Sequence, residues 1–241
     1  MQPLKLIQRL SAGIFSRLIF YPYCLVDDHP LPDGEKLVCQ DCLKSMPVNP
    51  EPHRPSNWEP SANSPIREVW SYWDFSAAFQ TLAHALKYQK MPSLGVKLGR
   101  FAADSISSYI FPPIDSVIPI PLHKTRMRER GYNQAEHIAR GLASSLDISI
   151  LVDTLLRTQY TKTQTKLNRE ERRTNLQSAF SLNSRRIENI QEKHILLVDD
   201  VFTTGATMET AADILLENGA GKIYGFTLAT ARLRHHMESD V

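Results

Sequence analysis

The stretch HILLVDDVFTTGAT, at 194–207, constrains the fold of this chain more than any other part of the sequence. Its apolar start predicts a buried strand. Two adjacent carboxylates, Asp199 and Asp200, follow the strand, and a threonine-rich turn then opens a helix. Strands followed by helices build α/β folds with a parallel sheet. The carboxylates and the turn would then lie at the carboxyl end of a strand, where such sheets bind their ligands.

Strands alternate with helices along most of the chain after residue 65. The patterns predict strands at REVWSYW, SVIPIPL, ILVDTLLRTQ and KIYGFTLAT, and helices at FSAAFQTLAHALKYQ, 93–108, YNQAEHIARGLASSL and TMETAADILLENGAG. We therefore expect an α/β domain with helices on both faces of a parallel sheet. A chain of 241 residues, 42% of them apolar, can bury such a core without disulfides.

Two shifts in composition divide the chain. All three cysteines lie within 21–46, and six of the fifteen prolines lie within 47–65, which excludes a regular helix there. We expect an N-terminal helix and cysteine module at 1–46, a proline-rich connection at 47–65 and the main domain at 66–241. A surface loop within one domain is the alternative for 47–65. So few cysteines, no signal peptide and no apolar run of about 20 residues predict a cytoplasmic protein without a membrane span.

The turn after Asp200 has the features of an anion site. The first N–H groups of a helix have no intrahelical partner and carry the positive end of its dipole. Gly205 allows close approach of the backbone, and Thr203, Thr204 and Thr207 add hydroxyl donors. The two carboxylates would repel a phosphate but suit hydroxyls or a metal. A ribose 5-phosphate satisfies both halves, and a capped strand end without a ligand is the alternative.

Three motifs resemble a known family. ILLVDDVFTTGAT resembles the phosphoribosyl pyrophosphate (PRPP) signature of type I phosphoribosyltransferases. VIPIPLHKTRMRERGYNQAEHIARGLA and QTKLNREERRTNLQSAF resemble the ComF/GntX branch, which is linked to competence for DNA uptake. The resemblance implies a type I phosphoribosyltransferase fold with a small N-terminal zinc-ribbon-like module. It also implies displacement of pyrophosphate at the ribose C1, with Mg²⁺ bridging pyrophosphate and ribose.

The resemblance also assigns roles to residues. Asp199 and Asp200 would hold the ribose hydroxyls. The 5-phosphate would be held by Thr203, Thr204, Gly205, Ala206 and Thr207, and the pyrophosphate would lie near His123, Lys124, Arg128 and Arg130. The catalytic set would be Asp199, Asp200, Lys124 and Arg128, because cations and metal stabilise the leaving charge.

Two segments, 123–140 and 157–173, are locally basic although the net charge is only +2. They can bind pyrophosphate and close over the site, as the family's mobile loop does, and Gln164, Leu167, Arg172 and Asn175 match the branch there. They can instead form a track for single-stranded DNA, with Tyr132 and Tyr160 as stacking platforms. A solvated helix face with internal ion pairs is the third interpretation. Lys87, at the end of a helix, is a further candidate, and compensation of the helix dipole is its alternative.

The cysteine module departs from the family pattern at one position. Cys39 and Cys42 form a C-x-x-C, which is half of a common zinc site. Relatives usually have a second C-x-x-C upstream, where this chain has Cys24 and Asp27. Three thiolates with Asp27 or His29 would complete a tetrahedral Zn²⁺ site, and a metal-free knuckle is the alternative.

Two functions remain open from the sequence. The chain can transfer ribose 5-phosphate from PRPP to an acceptor, or it can be a non-catalytic PRPP sensor that binds single-stranded DNA. Homo-oligomers or a partner from the competence machinery are compatible with both. No group of residues in the sequence identifies the acceptor.

Overall fold

A computed structural model describes residues 23–51, 55, 58, 60, 63–106, 112–158 and 179–231. Contacts divide the chain into two compact units, Met1–Met46 and Pro47–Val241. The expected N-terminal helix, part of the proline-rich connection and most of the second basic segment lie outside the described residues. These include Tyr160, Gln164, Leu167, Arg172 and Asn175.

The described residues of the second unit form seven strands. They are β1 (Val69–Asp74), β2 (Ser116–Pro119), β3 (Ser149–Ile150), β4 (Leu155–Arg157), β5 (Phe180–Leu182), β6 (Ile195–Phe202) and β7 (Ile223–Thr230). Five of them form a parallel sheet in the order β1–β7–β6–β2–β3, while β4 and β5 pair as an antiparallel ribbon. The predicted α/β class with a parallel sheet is therefore confirmed.

The described residues form six α-helices and a 3₁₀ helix at Ser184–Asn189. The α-helices are α1 (Gln40–Ser45) in the first unit, and α2 (Ala77–Tyr88), α3 (Pro92–Ile106), α4 (Lys124–Arg130), α5 (Gln134–Leu146) and α6 (Ala206–Glu217) in the second. The helices α2, α3, α5 and α6 match the four predicted after residue 65, and the shorter ones were not predicted. Across the described ranges, no helix has the length and apolar character needed to cross a membrane.

The core of the second unit surrounds β6. Ile195 and Leu197 pack with Ala211 and Leu215 of α6 in one apolar cluster that also includes Phe180 of the ribbon. Because side chains alternate along a strand, the buried Leu196 and Val198 face the other side of the sheet. The alternation continues into the two acids and decides where each of them points.

The order of the strands creates a crevice between β2 and β6. The chain leaves β2 toward β3 at one edge of the sheet, and it leaves β6 toward β7 in the other direction. Neighbouring strands whose connections run in opposite directions define a topological switch point, where open α/β sheets bind ligands at the carboxyl ends. The segments that follow β2 and β6 are therefore the ones that position the site.

The stretch ILVDTLLRTQ differs from its prediction as one strand. It forms two short strands that belong to different sheets, since β3 pairs in parallel with β2 and β4 pairs antiparallel with β5. Between them Asp153 has a positive φ of 57° and turns the chain. The pattern of apolar residues alone does not reveal that turn.

Candidate functional site

Asp199 and Asp200 lie inside β6 rather than at its end. The strand continues to Phe202 because β7 pairs with it throughout, including Asp199 with Thr227 and Phe202 with Thr230. On its other edge, β2 pairs with β6 only as far as Val198. The edge of β6 that carries both acids is therefore released from β2 and lines the crevice.

The two carboxylates point to opposite faces of the sheet. Asp199 lines a cleft on the side of α6. Asp200 is on the opposite face, where its Oδ2 lies 2.7 Å from Nζ of Lys87 at the end of α2. The acids that the sequence placed side by side therefore have different surroundings, since adjacent residues of a strand face opposite ways.

The turn between β6 and α6 forms the floor of the cleft. Gly205, at the N-cap of α6, has a φ of 77°, and a Cβ there would stand 2.9 Å from the ring of Phe202. The N-cap residue Gly205 has no side chain that could accept from the first N–H groups of α6. The cleft is open to solvent and is lined by Asp199, Val201, Phe202, Thr203, Gly205, Thr207, Met208 and Thr227. Thr204 is exposed and Ala206 is half-buried in the same turn.

Thr227 adds a donor that sequence reasoning missed. Its hydroxyl is fully buried, lines the cleft, and has no hydrogen-bond partner among the residues described. A buried hydroxyl without a partner costs about 1 to 3 kcal/mol, so such groups are rare unless a ligand or water completes them. Only the pairing of β7 with β6 brings Thr227 opposite Asp199, and no local pattern predicts that pairing.

The surroundings of Asp199 disfavour the charged form of its carboxyl group. Burial and the negative charge of Asp200 raise its pKa from 3.8 to about 7. The backbone N–H of Asp200 donates to Asp199 Oδ1 over 2.8 Å, and this bond, Lys87 and Arg157 lower the pKa in part. A carboxylate in these surroundings is stabilised by any ligand that donates hydrogen bonds to it.

Arg157 is a second cation of the site, placed by the β4–β5 ribbon. Its guanidinium lies 5.2 Å from the ring centre of Phe180, which is its partner across the ribbon. Burial lowers its pKa; the charge of Asp199 raises it and that of Arg126 lowers it. Arg157 thus lies within electrostatic reach of both the acid pair and the cations after β2. The sequence included it only as one cation of a basic segment.

The cations after β2 fall into two groups. His123 caps α4, and its Nδ1 accepts from the N–H of Thr125 over 3.2 Å. Lys124 and Arg128 are exposed on α4. Arg130 is instead engaged within the protein, where it donates to Gln134 and lies over the ring of Tyr88.

Tyr132 does not present an open face for a base. It is partly buried, its hydroxyl donates to the carbonyl of Leu86, and its ring meets His137 edge-on. The ring of Tyr88, 65% exposed, is the aromatic group on this surface that remains accessible. The predicted stacking role of Tyr132 therefore does not fit the structure, because its hydroxyl and ring serve to hold α2 against α5.

The first unit gathers a second group of candidate ligands. The ligand atoms of Cys24, Asp27, Cys39 and Cys42 all lie within 4.8 Å of one another. Tetrahedral zinc with sulfur ligands at about 2.3 Å needs them about 3.8 Å apart, so the group could bind a metal with small shifts. His29 lies beside this group, with Nδ1 3.6 Å from Asp27 Oδ2. Between the two candidates for the fourth ligand, the geometry favours Asp27.

Backbone groups support these thiols as ligands. The N–H of Cys39 donates to Sγ of Cys24 over 3.4 Å, and the N–H of Cys42 donates to Sγ of Cys39 over 3.3 Å. Hydrogen bonds that N–H groups donate to sulfur stabilise the thiolate, which is the form that binds metal. Hydrogen bonds from the thiols of Cys42 and Cys24 and from the N–H of His29 lower the pKa of Asp27 to about 2.

The comparisons with known proteins agree with this architecture. The family model for the phosphoribosyl transferase domain matches residues 129–239. The DNA utilization protein YhgH of Salmonella typhimurium is 30% identical over 219 residues, which cover 88% of this chain and 85% of that protein. Competence protein F of Haemophilus influenzae is 38% identical over 117 residues, which cover 48% of this chain and 51% of that protein.

A parallel sheet with an uncapped helix after its acid-bearing strand, together with the family match, defines a phosphoribosyltransferase-like domain. The similarity to YhgH covers most of both chains, and it narrows the class from phosphoribosyltransferase-like domains in general to one family. The chain belongs to the ComF/GntX family, as its three motifs predicted. Among solved structures, a glutamine PRPP amidotransferase from B. subtilis reaches a TM-score of only 0.41 at 16% identity, over 60% of this chain and 30% of that one. That likeness is too low to carry an argument.

Proposed function

We propose that this protein binds PRPP in the cleft at the carboxyl end of β6. The observation that carries the proposal is that one cleft is lined both by the first turn of α6 and by a buried hydroxyl without a hydrogen-bond partner in the described part of the chain. The uncapped first turn of α6 offers N–H groups to an anion, while the buried hydroxyl of Thr227 faces the same space beside Asp199. A ligand with a phosphate at one end and hydroxyls next to it complements both features.

The proposed roles follow from position. The 5-phosphate lies on the turn from Thr203 to Thr207, with the Gly205 backbone close to it. The ribose lies over the edge of β6 that β2 leaves free, so that Asp199 accepts from one hydroxyl on one side of the strand and Asp200 accepts from the neighbouring hydroxyl on the other. His123, Lys124 and Arg128 follow β2, on the other side of the crevice, and face the pyrophosphate. Arg130 has a supporting role here, because Gln134 and Tyr88 already engage it.

Magnesium fits this donor set. The ion prefers oxygen ligands and usually binds through one or two carboxylates together with phosphates of the substrate. Asp199 supplies carboxylate oxygens from the lining of the cleft, and Asp200 supplies them from the other face of β6. When bound, the ion would neutralise charge that develops on the leaving pyrophosphate.

Transfer of the ribose 5-phosphate is the reaction that this site supports. The bond from C1 to the pyrophosphate oxygen breaks, pyrophosphate leaves with the electron pair, and a nucleophilic atom of the acceptor bonds to C1. Lys124 and Arg128 stabilise the leaving charge in this proposal. The alternative is a sensor, in which PRPP binds without transfer.

Calorimetric titration with PRPP and Mg²⁺ tests the binding step. We expect wild type to bind, and we expect Asp199→Asn with Asp200→Asn to bind at least about tenfold more weakly, a loss of about 1.4 kcal/mol. ATP is the control ligand, because it carries phosphates but no free 5-phosphate on the ribose. Wild type without affinity for PRPP, or an unchanged affinity in the double variant, contradicts the assignment. Release of pyrophosphate with a panel of bases then separates the enzyme from the sensor.

For the first unit we propose a structural zinc site formed by Cys24, Asp27, Cys39 and Cys42. The close approach of their ligand atoms and the N–H donors to sulfur support it. All four positions of a tetrahedral site would be filled by protein atoms, which is typical of structural rather than catalytic zinc.

Binding of single-stranded DNA is a second candidate function. The cations Lys124 and Arg128 of α4 are exposed beside the crevice. The exposed ring of Tyr88 lies against the guanidinium of Arg130, the last residue of the same helix. Cations that follow a backbone and an exposed aromatic ring are the two elements of a single-strand site. The names of the relatives, which refer to DNA utilization and competence, agree with this proposal.

A further inference from the structure

Lys87 and Asp200 form an ion pair at the free edge of β6, beside the proposed site. Their charged atoms lie 2.7 Å apart, and their side chains are only 25% and 17% exposed. We propose that Lys87 is a binding residue that exchanges Asp200 for a phosphate of the pyrophosphate group when PRPP enters. The proposal rests on the proposed function and adds a reason for the site to prefer PRPP over ribose 5-phosphate.

The end of α2 is held in a fixed place on both sides of Lys87. The carbonyl of Leu86 accepts the hydroxyl of Tyr132, and the ring of Tyr88 carries the guanidinium of Arg130 at 5.6 Å. Arg130 is the last residue of α4, and Tyr132 lies between α4 and α5. Three consecutive residues of α2 therefore contact the proposed pyrophosphate side of the crevice and the acid pair. A lysine that only compensated the dipole of α2 would need none of these contacts.

The ion pair competes directly with the ribose. Lys87 occupies Oδ2 of Asp200, which is one of the oxygens that a ribose hydroxyl would need. A partly buried carboxylate that loses its cation must gain another partner, because an unpaired buried charge is costly. A ribose hydroxyl supplies that partner for Asp200. Lys87 then also needs a new anion.

Ligands differ in whether they supply an anion for Lys87. PRPP carries pyrophosphate on C1, and its oxygens form stronger, charge-assisted hydrogen bonds with an ammonium group. Ribose 5-phosphate has only a hydroxyl at C1, so its binding would leave Lys87 without a counter-ion. The exchange therefore favours PRPP and penalises ribose 5-phosphate, which is what remains of PRPP after hydrolysis.

Two titrations test the exchange, one with PRPP and Mg²⁺ and one with ribose 5-phosphate. We expect Lys87→Gln to bind PRPP about tenfold more weakly, a change of about 1.4 kcal/mol. The same variant should bind ribose 5-phosphate equally well or more tightly, because no ion pair has to be broken. Lys87→Arg should keep the preference for PRPP. Lys90→Gln, an exposed lysine just after α2, should match wild type for both ligands.

The opposite responses distinguish this role from a structural one. If Lys87→Gln lowers the affinity for both ligands equally, Lys87 only maintains the shape of the site. If the affinity for both is unchanged, Lys87 does not belong to the site. Either result overturns the exchange but leaves PRPP binding by wild type in place. If wild type binds neither ligand, the proposed function fails, and the exchange fails with it.

Discussion

Asp27 in the cysteine group and Asp199 in the cleft are both carboxylates beside other titratable side chains, and their pKa values shift in opposite directions. Hydrogen bonds, first from the Cys42 thiol and then from Cys24 and His29, lower the pKa of Asp27 to about 2. Burial and the charge of Asp200 raise the pKa of Asp199 to about 7. The first carboxylate accepts hydrogen bonds from several donors, and the second is buried next to another acid in the same strand.

The difference indicates what each site contributes to stability. In the cysteine group the side chains and backbone already satisfy one another, and a bound metal would add to the folding of the first unit. In the cleft, the charge of Asp199 and the buried hydroxyl of Thr227 both cost stability until a ligand completes them. Substitutions should therefore destabilise the first site and stabilise the second in the absence of ligand.

The largest effect is expected from loss of a ligand in the cysteine group. Purified protein should contain about one zinc per chain, and Cys39→Ser should lose it together with metal-linked folding energy on the order of 10 kcal/mol. Elemental analysis gives the metal content, and limited proteolysis shows whether 23–46 becomes accessible. A chelator-free preparation without zinc would favour the metal-free alternative.

A matched pair of variants sharpens the choice of the fourth ligand. Asp27→Asn should lower the zinc content, while His29→Ala should leave it unchanged, because His29 lies outside the group of four close ligand atoms. The reverse result would assign the fourth position to His29.

A smaller effect of opposite sign is expected at Asp199. The folded protein binds the Asp199 proton more tightly than the unfolded chain, since its pKa is raised to about 7 from 3.8. Wild-type stability should therefore fall as the pH rises from about 4 to about 7 and stay lower above that. Asp199→Asn removes the titration and should be more stable than wild type by about 2 kcal/mol at about pH 8, the value allowing for the partial exposure of the side chain.

Denaturation with urea at about pH 4 and about pH 8 measures this difference. The gain in Asp199→Asn should be present at the higher pH and absent at the lower one. Glu188→Gln removes an exposed acid of the 3₁₀ helix and serves as the control for loss of a charge. A variant no more stable than wild type at the higher pH would show that the cleft tolerates the charge without a ligand.

Thr227 should show the same conflict between stability and binding at about half the size. Thr227→Val removes the buried hydroxyl and should stabilise the ligand-free protein by about 1 kcal/mol. It should also weaken PRPP binding by about fivefold, because the ligand loses a donor. Thermal unfolding and calorimetric titration measure the two changes.

Ser71→Ala is the matched control. Ser71 also has a fully buried hydroxyl without a partner in the described part of the chain, but it lies on β1, outside the cleft lining. Its replacement should stabilise the protein and leave PRPP binding unchanged. Equal effects of the two substitutions on PRPP affinity would mean that the Thr227 hydroxyl does not contact the ligand.

The turn between β6 and α6 was predictable because its signals are local. An apolar strand, adjacent acids, a glycine and a new helix follow one another within 194–207, and the structure has each of them in that order. The end of the strand was not predictable to the residue. β6 continues through Val201 and Phe202 because β7 offers Ala229 and Thr230 as partners, and this pairing depends on the whole sheet.

The counter-ions of the acid pair depend on contacts between distant parts of the chain. Lys87 could be nominated from the sequence, but only the fold brings the end of α2 to Asp200 on β6. Arg157 reaches the neighbourhood of Asp199 because β4 pairs with β5 rather than continuing β3. The sequence could not reveal that Tyr132 is engaged by Leu86, since the two residues meet only after α2 and α5 have assembled.

The smallest expected effect concerns DNA, because exposed cations contribute through counter-ion release rather than through fixed contacts. Single-stranded oligonucleotide should bind in a salt-dependent manner, with log affinity falling by about 0.7 for each phosphate neutralised. Replacement of Lys124, Arg126 and Arg128 by alanine should therefore lower the slope against log salt by about 2. Tyr88→Leu should weaken binding without changing the slope, since stacking releases no counter-ions.

Fluorescence anisotropy across a salt series measures both quantities. The control replaces Arg185 and Arg186, two exposed cations of the 3₁₀ helix, which precedes β6 and so lies near the amino end of that strand, away from the cleft. If DNA crosses the crevice, this control should keep the wild-type slope, while PRPP should compete with the oligonucleotide because both anions need the cations of α4. Equal losses of slope in the two variants would mean that DNA binds the general positive charge of the protein. In that case the exposed cations of α4 would bind pyrophosphate and would have no specific role in binding DNA.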